Sequence, residues 1–301
     1  MLQSATERQK PSPKAQSAME YLMTYGWAIL IIAVVLGALF QLGVFNGATF
    51  APKAPPGACQ VFRPNGPSTA FDLNLEGVCN GELPEYVASF NANGAVNVIA
   101  PTQLPIGDSP RTIVAWVYPL GGNNNANGNQ QVVFYGQSTT DEGVGLIIYP
   151  DSNNVYFEGW NDWNSGLIVT NNTWNFVAVT YSGGVSNTIG GYENNQSASG
   201  YLSAALATPS GTNLYVGFGG PATRYYKGYI ANVQIYNASL SQPEVNALYL
   251  EGIGVAPIDL QNLVGWWPLN GDANDYSGNE NNGVPTNVVY TSSWTSGYTT
   301  P

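Results

Sequence analysis

Thr112-Ile-Val-Ala-Trp-Val-Tyr118 alternates with the two-residue period of an extended chain. Val114, Trp116 and Tyr118 fall on one face, and Ile113, Ala115 and Val117 on the other. Trp174-Asn-Phe-Val-Ala-Val-Thr180 repeats the pattern, with Trp174, Phe176 and Ala178 on one side. Outward from these two stretches, Gln131 to Tyr135, Gly145 to Tyr149, Val155 to Glu158 and Asn213 to Phe218 read as further short strands. Gly, Asn, Asp and Pro clusters separate them, which is the pattern of an antiparallel β-sandwich or barrel. One helix interrupts it. Ser241-Gln-Pro-Glu244 is a capping box with proline in the first turn, followed by Val245 to Leu250 and a stop at Gly252. The fold class expected is mostly β.

Composition agrees with an exported β-rich protein. Only 9% of the 301 residues are charged, against roughly a quarter in an ordinary soluble domain. Asn, Ser, Thr and Gly carry the polar load. The net charge is −11 and the few basic residues form no run, so nucleic acid is not an expected partner. No histidine occurs, which removes the commonest general base and zinc ligand. The two cysteines, Cys59 and Cys79, are close in sequence. One disulfide between them is expected, contributing roughly 3 kcal/mol by loop closure; two free thiols are the alternative.

The N-terminus sets the expected address. No charge occurs between Glu20 and Lys53, and the run from Ala18 to Phe45 is apolar all round. It exceeds the ~20 residues that span a bilayer and is too long for a simple cleaved signal. Arg8, Lys10 and Lys14 precede it, so that end is expected to stay in the cytoplasm and the bulk outside. Glu20 stands at the start of the apolar run, where a carboxylate is costly unless paired.

Lys14-Ala-Gln-Ser-Ala-Met-Glu20-Tyr-Leu22, with the Tyr25-Gly-Trp-Ala-Ile stretch behind it, resembles the archaeal class III signal peptide of type IV pilin-like proteins. The resemblance implies cleavage by a prepilin peptidase between Ala15 and Gln16, which makes Glu20 the fifth mature residue. In that family this glutamate pairs with the N-terminal amine of a neighbouring filament subunit during assembly. The alternative is an uncleaved membrane anchor whose Glu20 reaches the headgroups.

Thr112 to Pro119, Trp174 to Tyr181 and Gly228-Tyr-Ile-Ala-Asn-Val-Gln-Ile-Tyr-Asn-Ala-Ser-Leu-Ser241 resemble, in order, landmarks of laminin-G-like, concanavalin A-like jelly rolls. The likeness implies a sandwich that binds glycans or proteins and often holds a structural calcium. Ala231 stands where the family usually has aspartate, which weakens a calcium assignment by analogy.

The organisation expected is a basic leader over 1–15, a transmembrane or filament helix over 16–46, and a Pro-rich linker with a disulfide-closed hairpin over 47–82. A laminin-G-like sandwich follows over 83–256. The segment 257–301 resembles the opening strand of the same sandwich, docked within the chain or donated to a neighbour.

Three sites stand out. Tyr156, Trp160, Asp162 and Trp163 combine aromatic faces with polar groups at a strand end, as a sugar site does, or else cap the core. Asp272 and Asp275 lie in a Gly-rich loop that offers oxygens to calcium, or that satisfies its own backbone. Asn171, Asn195 and Asn237 head Asn-x-Ser/Thr sequons, acceptors for glycosylation. Catalysis is not expected: no E-x-D-x-E run occurs, and Glu158 and Asp162 straddle a turn. The function expected is an archaeal pilin-like filament subunit displaying an adhesive or glycan-binding domain at the cell surface. The alternative is a membrane-anchored, lectin-like protein that does not polymerise.

Overall fold

A computed structural model describes residues 25–36, 83–121, 130–149, 151–159, 161–184, 189–220 and 223–301. Residues 25–36 form a helix, α1, whose apolar side chains, Trp27 and Ile31 among them, are exposed. Among the described residues no helix is long and apolar enough to cross a membrane. The rest of the expected 16–46 segment lies outside the described residues, as do the leader, Ala15, Gln16, Glu20, Cys59 and Cys79.

The described residues from 83 onward form the strands β1 (Val87–Val98), β2 (Arg111–Pro119), β3 (Gln130–Gly136), β4 (Gly143–Ile148), β5 (Asn154–Glu158), β6 (Trp163–Ile168), β7 (Asn175–Tyr181), β8 (Ile189–Glu193), β9 (Gln196–Gly200), β10 (Leu214–Val216), β11 (Lys227–Tyr236), β12 (Leu263–Trp267) and β13 (Gly283–Thr291). All pair antiparallel, in the order β6-β5-β4-β3-β10-β1-β11-β2-β7-β8-β9. β1 joins the two layers. Its first half, Ala88 to Asn91, pairs with β11, and its second half, Val96 to Val98, pairs with β10. β13 runs along the other edge of β1, pairing with Val87 to Phe90 and, past a bulge, with Ala95 to Val98, and β12 continues beside β11 where β1 has left it.

The alternation read in 112–118 sorts the core in two. Ile113, Ala115 and Val117 face the space between the layers, with Val144, Leu146 and Ile148 of β4 and Val177 and Val179 of β7. Phe157 of β5 stacks on Tyr181 of β7 there, ring centres 5.8 Å apart. Val114 and Trp116 point the other way, into a second cluster with Phe176, Ala178 and Trp266. That cluster is roofed by α2 (Gln242–Glu251), through Val245 and Leu248, and by Trp294 and Tyr298.

Local chemistry sets α2. The Glu244 carboxylate accepts the Ser241 N–H at 2.7 Å, Pro243 lies in the first turn, and Gly252 closes the helix at φ +91°. Asn232, at a bulge in β11 with φ +49°, donates to the carbonyls of Ile253 and Val255 and accepts from the Trp266 indole. It thereby joins the helix exit to β11 and β12. The last residues tie the ends together: Trp174 donates its indole N–H to the Trp294 carbonyl, and Trp294 donates its own to that of Pro84.

Candidate functional site

With Val155 and Phe157 turned inward, β5 presents Asn154, Tyr156 and Glu158 on the outer face of its layer. By the same alternation β4 presents Gly145 and Ile147, and Tyr149 follows on that side. The segment after β10 folds back over part of this face. Phe218 bridges to Tyr225, Gly219 donates to the Arg224 carbonyl, and Tyr226 donates to that of Gly217. Beneath this cover Phe134 and Ile147 are fully buried.

The floor of the face is polar. Glu158, only 1% exposed, forms an ion pair with Arg224 and accepts the Gln131 amide N–H at 2.6 Å. Burial pushes the Glu158 carboxyl up to about 7, against the pull of Arg224 and with a further push from Asp162. Gln131 is buried and its Oε1 has no partner. Gly145 makes room for the pair: a Cβ there would stand 2.6 Å from Gln131 Nε2 and 2.8 Å from Glu158 Oε2.

The uncovered rim is aromatic. Tyr149 and Tyr156 lie ring to ring, centres 4.1 Å apart and planes tilted by 33°. Tyr149 donates its hydroxyl to Asp162 Oδ2 at 2.7 Å, and the Gly159 N–H reaches Oδ1 at 3.2 Å. Burial and the Asp162 carboxylate both raise the Tyr149 phenol, so it remains a proton donor. Asn154 donates to Asn164 at 3.1 Å, and Ile168 is 62% exposed on the same outer face. Flat rings beside an oriented carboxylate and amides can hold a ligand by stacking and by accepting its hydroxyl protons.

Of the four residues singled out from sequence, Tyr156 and Asp162 meet here. Trp163 turns to the opposite face and lies over Gly191 and Gly200, where a Cβ on Gly200 would stand 1.9 Å from its Nε1. Trp160 is outside the described residues. Tyr149, Gln131 and Arg224 were not singled out. Their one legible signal was the scarcity of cations, since Arg224 is one of 8 lysines and arginines in the chain.

The Asp272–Asn279 loop is self-contained. Asp275 is buried, and its oxygens accept the N–H groups of Trp266, Ser277 and Asn281 and the Ser277 hydroxyl. Asp272 accepts from Asn274 and from the Tyr276 hydroxyl. A calcium ion held by these two carboxylates would have to displace donors from both. Among the described residues no group of three or more Cys, Asp or Glu side chains is arranged to hold a metal ion. Of the sequon asparagines, Asn195 is exposed in the β8–β9 turn and Asn237 is exposed after β11, whereas Asn171 is half-buried.

A laminin G-type family model, described as the concanavalin A-like lectin/glucanases superfamily, matches residues 90–246. The chain belongs to this superfamily. Its concanavalin A-like domain is similar to a Bacteroides ovatus protein assigned as carbohydrate binding, with 16% identity and a TM-score of 0.52 over 69% of this chain. This chain covers 60% of that protein's length. A native heptameric SAP-like pentraxin from Limulus polyphemus is 12% identical, with a TM-score of 0.50 over 69% of this chain and 95% of its own. At these identities the likeness is one of fold. No curated protein is similar enough to count as a relative.

Proposed function

We propose that the concanavalin A-like domain binds carbohydrate through the Tyr149–Tyr156–Asp162 face. The observation that carries this reading is the rim itself: paired, partly exposed rings beside a carboxylate fixed by Tyr149 and Gly159. A pyranose ring offers an apolar C–H face and a fringe of hydroxyls, the complement of that surface. Membership of a superfamily that includes lectins supports the reading, as does a neighbour assigned as carbohydrate binding. The role is binding rather than hydrolysis, because Glu158 is spent on Arg224 and Gln131 beneath the cover. A glycan array followed by titration calorimetry tests it. Wild-type protein binds a defined glycan set, and Tyr156→Ala weakens that binding at least tenfold with the fold intact. Equal binding by the variant, or no binding by the wild type, refutes it.

The display half of the proposal rests on Gln16 to Glu20 and the apolar run behind them. In this reading prepilin peptidase removes residues 1–15, the helix anchors the chain in the membrane, and Glu20 recruits it into a surface filament with other subunits. Mass spectrometry of the mature chain is the test. An N-terminus at Gln16 supports filament assembly, and one at Met1 leaves a membrane-anchored lectin-like protein that does not polymerise.

A further inference from the structure

We infer that this face accepts neutral, hydroxyl-rich sugar chains and rejects those that carry a carboxylate or sulfate on the sugar in contact. The inference rests on the carbohydrate reading and names the ligand class within it.

The commitments of the polar groups at this face limit what it can offer a ligand. Gln131 is buried beneath the cover, with its Nε2 given to Glu158 and to the Val133 carbonyl, so it meets no ligand. Arg224 pairs its Nη1 with Glu158. The Tyr149 hydroxyl proton goes to Asp162, and the Asn154 amide to Asn164. Asp162 accepts one donor at each oxygen and, as a carboxylate, has capacity for more. Asp162 is therefore the charged group that the rim presents, and among the described residues the cation at this face, Arg224, is held by Glu158. The chain as a whole, at −11, adds the same sign. A ligand must bring donors, which hydroxyls supply. A uronate or sulfate group brings only acceptors and a like charge at the point of contact, where among the described residues the nearby Arg224 is already held by Glu158.

The test uses matched pairs that differ only at C6: galactan and galacturonan, mannan and mannuronan, glucan and glucuronan oligosaccharides. They are titrated into the purified protein at low and at high salt. The expected result is that the neutral member of the bound pair is preferred by roughly tenfold or more at low salt, as a like charge a few ångströms away requires. The preference narrows at high salt. Asp162→Asn, which removes the charge but keeps one acceptor oxygen in place of the two that meet Tyr149 and Gly159, is expected to weaken neutral binding and to narrow the ratio between the neutral and the charged member at low salt. A uronate bound as tightly as its neutral partner, or more tightly, overturns the inference and leaves the carbohydrate reading standing. Binding of no member of any pair overturns both. A preference that Asp162→Asn and salt leave unchanged overturns the electrostatic cause.

Discussion

Replacing Arg224 by methionine keeps an aliphatic stem over the sheet and removes the cation from a carboxylate that is 1% exposed. Removing one partner of a buried ion pair typically costs ~3–5 kcal/mol. Here protonation limits the cost, because Glu158 can take up a proton instead of remaining charged. That escape costs about 1.4 kcal/mol for each pH unit above the carboxyl's unfolded value. The wild type already bears part of it, since burial raises Glu158 from 4.5 to about 7. At pH 8.5 the wild-type carboxyl is ionised and its cost has stopped growing, whereas without Arg224 it continues to grow. The extra destabilisation is then about 2 kcal/mol. At pH 5 the carboxyl is protonated in both proteins, and this contribution vanishes. Urea denaturation at the two pH values, followed by tryptophan fluorescence, measures the difference. The double variant Glu158→Gln/Arg224→Met should lose the pH dependence. A destabilisation of the same size at pH 5 and pH 8.5 would refute the reasoning, because it would place the cost of Arg224→Met in lost packing rather than in charge.

Glu158 and Glu193 are both raised to about 7, chiefly by burial, so the folded protein holds these protons more tightly than the unfolded chain. Their stabilisation is full below about pH 4.5 and is lost as pH rises through 7; melting temperatures should fall over that window, and a steady rise would contradict the assignment. Gly200→Ala drives a Cβ into the Trp163 indole and should cost ~1–3 kcal/mol, with a red-shifted tryptophan emission. Asp275→Asn leaves some of the Trp266, Ser277 and Asn281 donors unmet and should cost ~2 kcal/mol in urea titrations. Millimolar calcium should leave the wild-type melting temperature unchanged; a rise of several degrees would make the loop a metal site after all.

How much of this was legible in sequence follows from where the physics is local. The two faces of 112–118 and the Ser241–Gly252 helix obey rules of period and capping that need no distant partner, and both could be read. β1 could not, because Ala92 at φ +55° and a register shift between Phe90 and Ala95 break its alternation midway. β13 hides behind Pro285 and the left-handed Asn287. β8 and β9 look like loop because Gly191 and Gly200 give up side chains to make room for Trp163, which for the same reason reads as a free aromatic. Within the site, Tyr156 and Asp162 announce themselves as ring and carboxylate at a strand end. Arg224 reaches Glu158 across 66 residues of chain, and no short-range pattern encodes that meeting.

The placing of β1 also governs how the domain carries load. β1 begins four residues after Leu83 and is bonded to β13 on one edge and to β11 and then β10 on the other. A pull applied upstream of Leu83 and along the strand must shear both ladders at once, with many rungs sharing the force. A strand at the sheet's margin would open rung by rung. Were the proposed attachment to hold the chain from its N-terminal side and load its outer face, the force would pass through a strand clamped on both edges. Under that load the proposed ligand contact should give way before the fold does.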